Sequence, residues 1–143
     1  MSESSDEPLQ RIHDQRLRLR QVTAHVRESA LVPYIRALSL VFDAVSIVLV
    51  AEEDDSLSIA SEYADPELSP VSLGAEKPWS RALGKPLLWS WTMTNQQGYR
   101  DGLQLELANN VDDPSVVIQI LVEASNIKVR QIEGGFVSLP KKS

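Results

Sequence analysis

The C-terminal half of the chain alternates apolar and polar residues, and this pattern constrains the fold more than any other feature. Residues 103–107 spell Leu-Gln-Leu-Glu-Leu, and comparable stretches lie on both sides of them. Successive side chains of a β-strand point to opposite faces of the sheet, so such alternation is typical of a half-buried strand. Short polar segments that contain Asn, Gly or Pro separate the stretches. The sequence therefore predicts four consecutive antiparallel strands between residues 87 and 131.

Two further strands are predicted before these four. Residues 44–51 form a dense aliphatic and β-branched run, and residues 57–63 alternate again. The acidic segment between the two runs predicts a hairpin turn. Because hairpin-length connections rather than helices join these strands, an antiparallel meander is favoured over a parallel sheet.

The N-terminal part is predicted to be helical, from Pro8 to about Ala30. Five apolar residues fall within a narrow arc of a helical wheel: Ile12, Leu19, Val22, Val26 and Ala30. Residues 34–42 predict a second, short helix, with an early start of the following strand as the alternative. The predicted fold is α+β, an N-terminal amphipathic helix packed on a curved antiparallel β-meander of about six strands.

The length of 143 residues fits one domain. Residues 1–7 predict a disordered tail, residues 8–137 a single α+β domain, and residues 138–143 a C-terminal tail.

Several classes of chemistry find no support in the sequence. The chain has no cysteine, and no nucleotide-binding, metalloprotease or serine-hydrolase motif occurs. His13 and His25 lie on one predicted helix and point about 120° apart, so they cannot share a metal. We therefore expect no cofactor, no metal site and no catalytic residue, and an enzymatic role stays uncertain. The polar N-terminus lacks a signal peptide and no apolar run has the length of a membrane span, so we expect a cytoplasmic protein.

The charge of the chain is concentrated in its middle. The net charge is −6, and residues 37–76 contain nine acidic residues and no Lys or Arg. Four of the nine are consecutive in the predicted hairpin turn: Glu52, Glu53, Asp54 and Asp55. Mutual repulsion of these carboxylates is expected to disfavour the fold. A run of four acidic residues at this position is therefore easier to explain if the carboxylates contact a basic protein surface. The alternative is a solvated tip that promotes solubility. Nucleic acid is not expected as a partner, because an acidic surface repels phosphate.

A polar loop between two predicted strands is the second candidate site. Its residues offer directional hydrogen bonds to a ligand or partner: Asn95, Gln96, Gln97, Tyr99, Arg100 and Asp101. The alternative is that the amides and Gly98 build a turn and that Arg100 pairs with Asp101. Trp89 and Trp91, on one face of the preceding strand, are predicted to lie in the core rather than to form a ligand platform.

The string WSWTMTNQQGYRDGLQLEL, residues 89–107, followed by ILVEASNIKVRQI, residues 120–132, resembles a family of small bacterial proteins of unknown function. The resemblance covers roughly residues 40–133 and leaves the N-terminal part outside. It implies no established activity, so no catalytic residue can be transferred. By type alone, a small, acidic, cysteine-free chain is similar to the immunity proteins of bacterial toxin systems.

Three functions remain open at this point. The first is a non-enzymatic protein-binding protein, for example an immunity protein that masks a basic surface of a toxin with its acidic hairpin. The second is a small-molecule-binding or enzymatic domain that uses the 95–101 loop. The third is a housekeeping or scaffold protein. The sequence does not define the oligomeric state.

Overall fold

The computed structural model describes residues 3–27 and 34–132, and this part of the chain is mainly antiparallel β-structure. Two helices and nine strands occur in it: α1 (Glu3–Asp14), β1 (Leu19–Arg27), β2 (Tyr34–Phe42), β3 (Ser46–Ala51), β4 (Leu57–Ala60), β5 (Ser69–Ser72), α2 (Trp79–Ala82), β6 (Leu87–Thr94), β7 (Arg100–Leu107), β8 (Val116–Glu123) and β9 (Asn126–Gln131). No helix in the described ranges is long and apolar enough to cross a membrane. The predicted C-terminal tail, residues 138–143, lies outside the described residues.

The strands form two sheets. One has five strands in the order β4-β3-β2-β1-β5, and the other has four in the order β6-β7-β8-β9. All neighbouring strands are antiparallel. The prediction of four consecutive antiparallel strands between residues 87 and 131 is confirmed, as is the hairpin of β3 and β4.

The prediction of a long N-terminal helix, from Pro8 to about Ala30, is wrong, because α1 ends at Asp14 and residues 19–27 form a strand. The pairing of β1 with β2 shifts by one residue between Leu19 and Gln21. This irregularity lets Leu19 and Val22, three residues apart, both become buried. Apolar residues spaced three apart lie on one face of a helical wheel, so the bulge gave this strand a sequence pattern typical of a helix.

The short helix predicted for residues 34–42 is also wrong, since these residues form β2. This strand lies in the middle of the five-stranded sheet, and its neighbours Ala37 and Leu38 are both fully buried although they point to opposite faces. A strand covered on both faces loses its alternation, and its sequence then resembles a short buried helix. The α+β meander of about six strands is therefore corrected to a mainly β fold with two antiparallel sheets.

One hydrophobic core joins the two sheets. It combines Leu38 and Leu49 of the five-stranded sheet with Leu105 and Ile118 of the four-stranded sheet. The helix α1 contributes Leu9 and Ile12, and α2 contributes Trp79. Because both sheets share one core, the strand ends from which the loops start are held in fixed positions relative to each other.

Trp89 and Trp91 do not lie in the core, contrary to the prediction. The pairing of β6 with β7 shifts by one residue at Leu88, so Leu87 and Leu88 are both buried. From Trp89 onward the alternation is therefore reversed, and the two tryptophans are 53% and 40% exposed. One inserted residue in the strand moves its aromatic side chains from the core face to the outer face.

Candidate functional site

Both loops predicted as candidate sites lie at the same end of the molecule. In the four-stranded sheet, the β6–β7 loop and the β8–β9 turn lie at one end because the strands are antiparallel and consecutive. The β3–β4 hairpin of the other sheet reaches this end, where Asp55 contacts Ser125. We call residues 52–56 the acidic tip, residues 95–99 the amide loop, and these two with residues 124–125 the loop end.

The carboxylates of the acidic tip organise its backbone. Oδ1 of Asp54 accepts hydrogen bonds from the hydroxyl of Ser56 at 2.6 Å and from the Ser56 amide at 3.0 Å. These bonds hold the pKa of Asp54 below its usual range, the hydroxyl contributing most. Oε2 of Glu52 accepts a hydrogen bond from the hydroxyl of Ser58 at 2.6 Å. Two of the four carboxylates are thus fixed by neighbouring serines, while both side chains remain exposed.

Asp55 joins the acidic tip to the other sheet. Its Oδ1 accepts a 2.7 Å hydrogen bond from the amide of Ser125, and the hydroxyl of Ser125 donates to the carbonyl of Glu52 at 3.3 Å. Ala124 and Ser125 have φ of 55° and 59°, as expected for a two-residue turn of a tight hairpin. Asp55 has φ of 69°, a region that Asp tolerates better than most residues. Asp55 is therefore a structural residue of the loop end, not a freely presented charge.

Glu53 has a different role in the same segment. Its side chain is exposed and makes no hydrogen bond or ion pair with the part of the chain that the structure describes. It lines an open depression together with Arg36, Glu52, Asp54 and Ser56. Nε of Arg36 is buried there without a hydrogen-bond partner among the described residues. The acidic tip thus presents three exposed carboxylates, and Arg36 lines the same depression.

Asn95 builds the amide loop. Its Oδ1 accepts hydrogen bonds from the amides of Gln97 at 2.9 Å and Tyr99 at 3.1 Å. The backbone N–H of Asn95 donates to the carbonyl of Tyr99 at 2.9 Å. Gly98, within the loop, has φ of 90°, a conformation that glycine adopts without strain. These contacts leave Gln96, Gln97 and Tyr99 exposed on the outside of the loop.

Arg100 and Asp101 belong to the base of the amide loop. Nε of Arg100 donates to the carbonyl of Leu57 at 3.3 Å, which gives a second connection between the two hairpins beside that of Asp55. Asp101 lies where the β6–β7 pairing shifts by one residue, between the pairs Met93–Gly102 and Thr94–Arg100. Both side chains are half-buried, so they support the loop end more than they extend from it.

Carboxylates outside the loop end are partly neutralised by arginines of β1. Asp43 accepts a 2.6 Å hydrogen bond from Nε of Arg20 and a 3.0 Å bond from the amide of Arg18. The amide bond first, and then the Arg20 contact, hold the pKa of Asp43 below its usual value. Arg27 lies 3.7 Å from Glu67. The sequence could not show this pairing, because it depends on which strand lies beside the acidic segment.

The two histidines do not lie on one helix, contrary to the prediction. His13 lies on α1, whereas His25 lies on β1, where its Nε2 is 2.8 Å from the hydroxyl of Ser39. Partial burial lowers the pKa of His25. Among the described residues, no group of three or more His, Cys, Asp or Glu side chains is arranged to hold a metal ion.

Three serines and one arginine that shape this site do not stand out in the sequence. Ser56, Ser58 and Ser125 fix the carboxylates, and Arg36 lies among them. For Ser56 a signal exists, because a serine two residues after an Asp is a common turn-forming pair, whereas Ser58 reaches Glu52 across the hairpin, six residues away. Ser125 and Arg36 are distant in sequence from the acidic tip, so only the pairing of the sheets brings them there.

Comparison with known proteins identifies the class of the chain. A profile of a family of unknown function, DUF6334, matches residues 1–135, so the chain belongs to this family. The match includes the N-terminal part that the sequence resemblance left outside. No curated protein and no solved structure gives a significant match.

Proposed function

We propose that this chain is a non-enzymatic protein-binding protein whose loop end contacts a basic surface of its partner. The observation that carries the proposal is the convergence of the acidic tip and the amide loop. Two hydrogen bonds join the hairpins of the loop end to each other: the Ser125 amide donates to the Asp55 carboxylate, and Nε of Arg100 donates to the Leu57 carbonyl. Loops fixed at one end of a rigid β-scaffold are a common form of binding site.

The charge and side-chain types of the loop end favour a basic protein as the partner. Three exposed carboxylates, those of Glu52, Glu53 and Asp54, lie close to one another on an anchored turn. Such a fixed charge cluster attracts a basic surface and increases the association rate. Exposed Tyr99 and the two glutamines of the amide loop supply the aromatic and amide contacts that are typical of protein interfaces.

An immunity protein that masks a basic surface of a bacterial toxin is the specific form of this proposal. A small acidic domain with a preformed acidic end suits that role, and the encounter would take place in the cytoplasm. A small-molecule or enzymatic role for the 95–101 loop is less favoured, because the side-chain oxygen of Asn95 already accepts two hydrogen bonds within the turn. No observation favours a scaffold role.

Affinity capture from the native host with three forms of the chain tests the proposal. The tip variant carries Glu52→Gln, Glu53→Gln and Asp54→Asn, which keep the hydrogen-bond acceptors. The control variant carries Glu76→Gln, Asp112→Asn and Asp113→Asn, with the same charge change at exposed sites outside the loop end. We expect a basic protein to be captured by the natural chain and the control variant but depleted at least fivefold with the tip variant. Equal capture by all three forms, or no basic protein captured, would contradict the proposal.

A further inference from the structure

The outer face of β6 presents a pair of tryptophans that the loop end does not use. Trp89 and Trp91 are 53% and 40% exposed. Their cross-strand partners on β7 are Glu106 and Gln104, which alternate with the core leucines and therefore share the outer face. Exposed aromatic side chains that are adjacent on one face often mark an interaction site, and tryptophan is among the residues enriched where binding energy is concentrated.

An acidic residue and a histidine are the neighbours of Trp89 on β7 and α1. Glu106 is its register partner, and directly opposed residues of antiparallel strands have Cβ atoms about 5 Å apart. On the other side, the ring of His13 lies 5.6 Å from the Trp89 ring, and Nδ1 of His13 is 3.3 Å from Oδ1 of Asp14. Trp89 is thus opposite one acidic residue, Glu106, and its ring packs beside His13, which contacts Asp14.

A cavity next to Trp89 provides space for a side chain. Its volume is about 390 Å³, and its wall combines an aromatic ring, an imidazole, an amide and two hydroxyls. The lining residues are Leu9, Gln10, His13, Trp89, Ser90 and Thr92. None of these residues is a lysine, an arginine or a carboxylate, and the acidic residue that the strand register places beside the cavity is Glu106, opposite Trp89. A cation with hydrogen-bond donors matches both the charge and the acceptors.

We propose that Trp89 binds the guanidinium group of an arginine supplied by the protein partner. This inference rests on the proposed function, since it takes the partner to be basic. A guanidinium is planar and stacks on an indole face, while its N–H groups reach neighbouring carboxylate, hydroxyl and amide oxygens. Glu106, opposite Trp89 on β7, supplies the compensating negative charge. Trp91 lies two residues further along the same face and extends the aromatic surface towards the loop end.

The test uses a short peptide probe and does not require the partner. The probe is acetylated, amidated Gly-Gly-Arg-Gly-Gly, and its control carries citrulline, a neutral side chain of the same shape, in place of arginine. Two-dimensional NMR follows the indole N–H signals of the three tryptophans, with buried Trp79 as an internal reference. We expect the arginine peptide to shift the Trp89 signal, and the Trp91 signal less, while Trp79 stays unchanged. The citrulline peptide should have at least threefold weaker affinity.

Substitutions identify the groups responsible. We expect Glu106→Gln to weaken binding of the arginine peptide about threefold and to leave the citrulline peptide unaffected. Trp89→Leu, followed through the amides of Ser90 and Thr92, should reduce binding at least fivefold. The tip variant described above serves as the matched control and should bind the peptide normally.

Two results would overturn the inference: equal binding of both peptides, or a Trp89 signal that neither peptide moves. Loss of peptide binding in the tip variant would assign the effect to the loop end instead. Because no partner enters this titration, failure of the capture experiment and failure of the arginine site are separate results.

Discussion

The acidic tip and the amide loop lie side by side at the loop end, yet they are held in different ways. The tip depends on the other sheet, because Asp55 accepts its hydrogen bond from Ser125, which is distant in sequence. The amide loop is self-contained, because Asn95 bonds to residues within four positions of itself. The comparison separates residues that build the loop end, Asp55 and Asn95, from residues that are presented on it, such as Glu53 and Tyr99. Sequence position alone does not reveal which residue has which role.

This separation changes the expected effect of neutralising the tip. Repulsion among four carboxylates suggested that replacing all of them would leave the fold intact or stabilise it. The hydrogen bonds of Glu52, Asp54 and Asp55 oppose that effect. A replacement that includes Asp55 is therefore expected to lower the free energy of unfolding, which is why the tip variant leaves this residue unchanged.

The largest effect on stability is expected from Asp55→Ala. This change removes the acceptor of the Ser125 amide and places Ala at a positive φ, so the free energy of unfolding should fall by about 2 kcal/mol. Asp55→Asn is the matched control, because Asn keeps an acceptor oxygen and tolerates the same backbone conformation. Urea unfolding of both variants measures the difference. If Asp55→Ala were as stable as Asp55→Asn, the hydrogen bond between the hairpins would not stabilise the fold.

Asn95→Ala should have a smaller effect, because the amide loop is local. Loss of the two bonds to the Gln97 and Tyr99 amides should lower the free energy of unfolding by about 1 kcal/mol. The control is Gln96→Ala, an exposed neighbour in the same loop that should change stability by no more than about 0.5 kcal/mol. Equal losses in the two variants would mean that Asn95 does not organise the loop.

Tyr99→Ala tests whether Tyr99 contacts the partner or stabilises the loop. Tyr99 is 42% exposed, so removal of its ring should lower the melting temperature only slightly, by about 2 °C or less. Binding of the captured partner should weaken several-fold, since exposed aromatic rings contribute strongly to interfaces. Thermal unfolding and binding are measured on the same protein. Unchanged binding with lowered stability would assign Tyr99 to the turn alone.

The smallest effect concerns pH and lies away from the loop end. Burial lowers the pKa of His25 from its ordinary value of 6.5, so the unfolded chain binds the proton more readily than the folded chain. The stability that this residue contributes is complete above pH 6.5 and is lost as the pH falls through the lowered pKa. His25→Gln, which does not titrate, should show a smaller decrease in melting temperature between about pH 7.5 and pH 5.5. Identical decreases in both proteins would show that His25 does not contribute to the pH dependence.

The parts of the fold that sequence predicts well are those with undisturbed alternation. Leu103, Leu105 and Leu107 face the core from a half-exposed strand, so their pattern indicates the correct structure. The failures have two physical causes. Register shifts at Leu19–Gln21 and at Leu88 change the spacing of buried residues, and the sequence carries no separate mark of them. In β2, burial on both faces removes the alternation altogether.

The candidate site shows the same limit. Both loops are recognisable in sequence, because four adjacent carboxylates and an amide-rich turn between strands are distinctive patterns. Their convergence is not recognisable, because it depends on the pairing of Asp55 with Ser125 across two sheets. The exposure of Trp89 likewise follows from the bulge at Leu88, and no residue type in the sequence indicates that bulge.

The association rate with the captured basic partner tests the central claim most directly. It is measured for the natural chain, the tip variant and the control variant at about 20 mM and 300 mM salt, concentrations at which exposed charges are weakly and strongly screened. We predict that the tip variant associates about tenfold more slowly at low salt and that the difference nearly disappears at high salt. The control variant should behave almost like the natural chain. Equal rates for the tip variant and the natural chain at low salt would contradict the account and leave the acidic tip as a solvated turn.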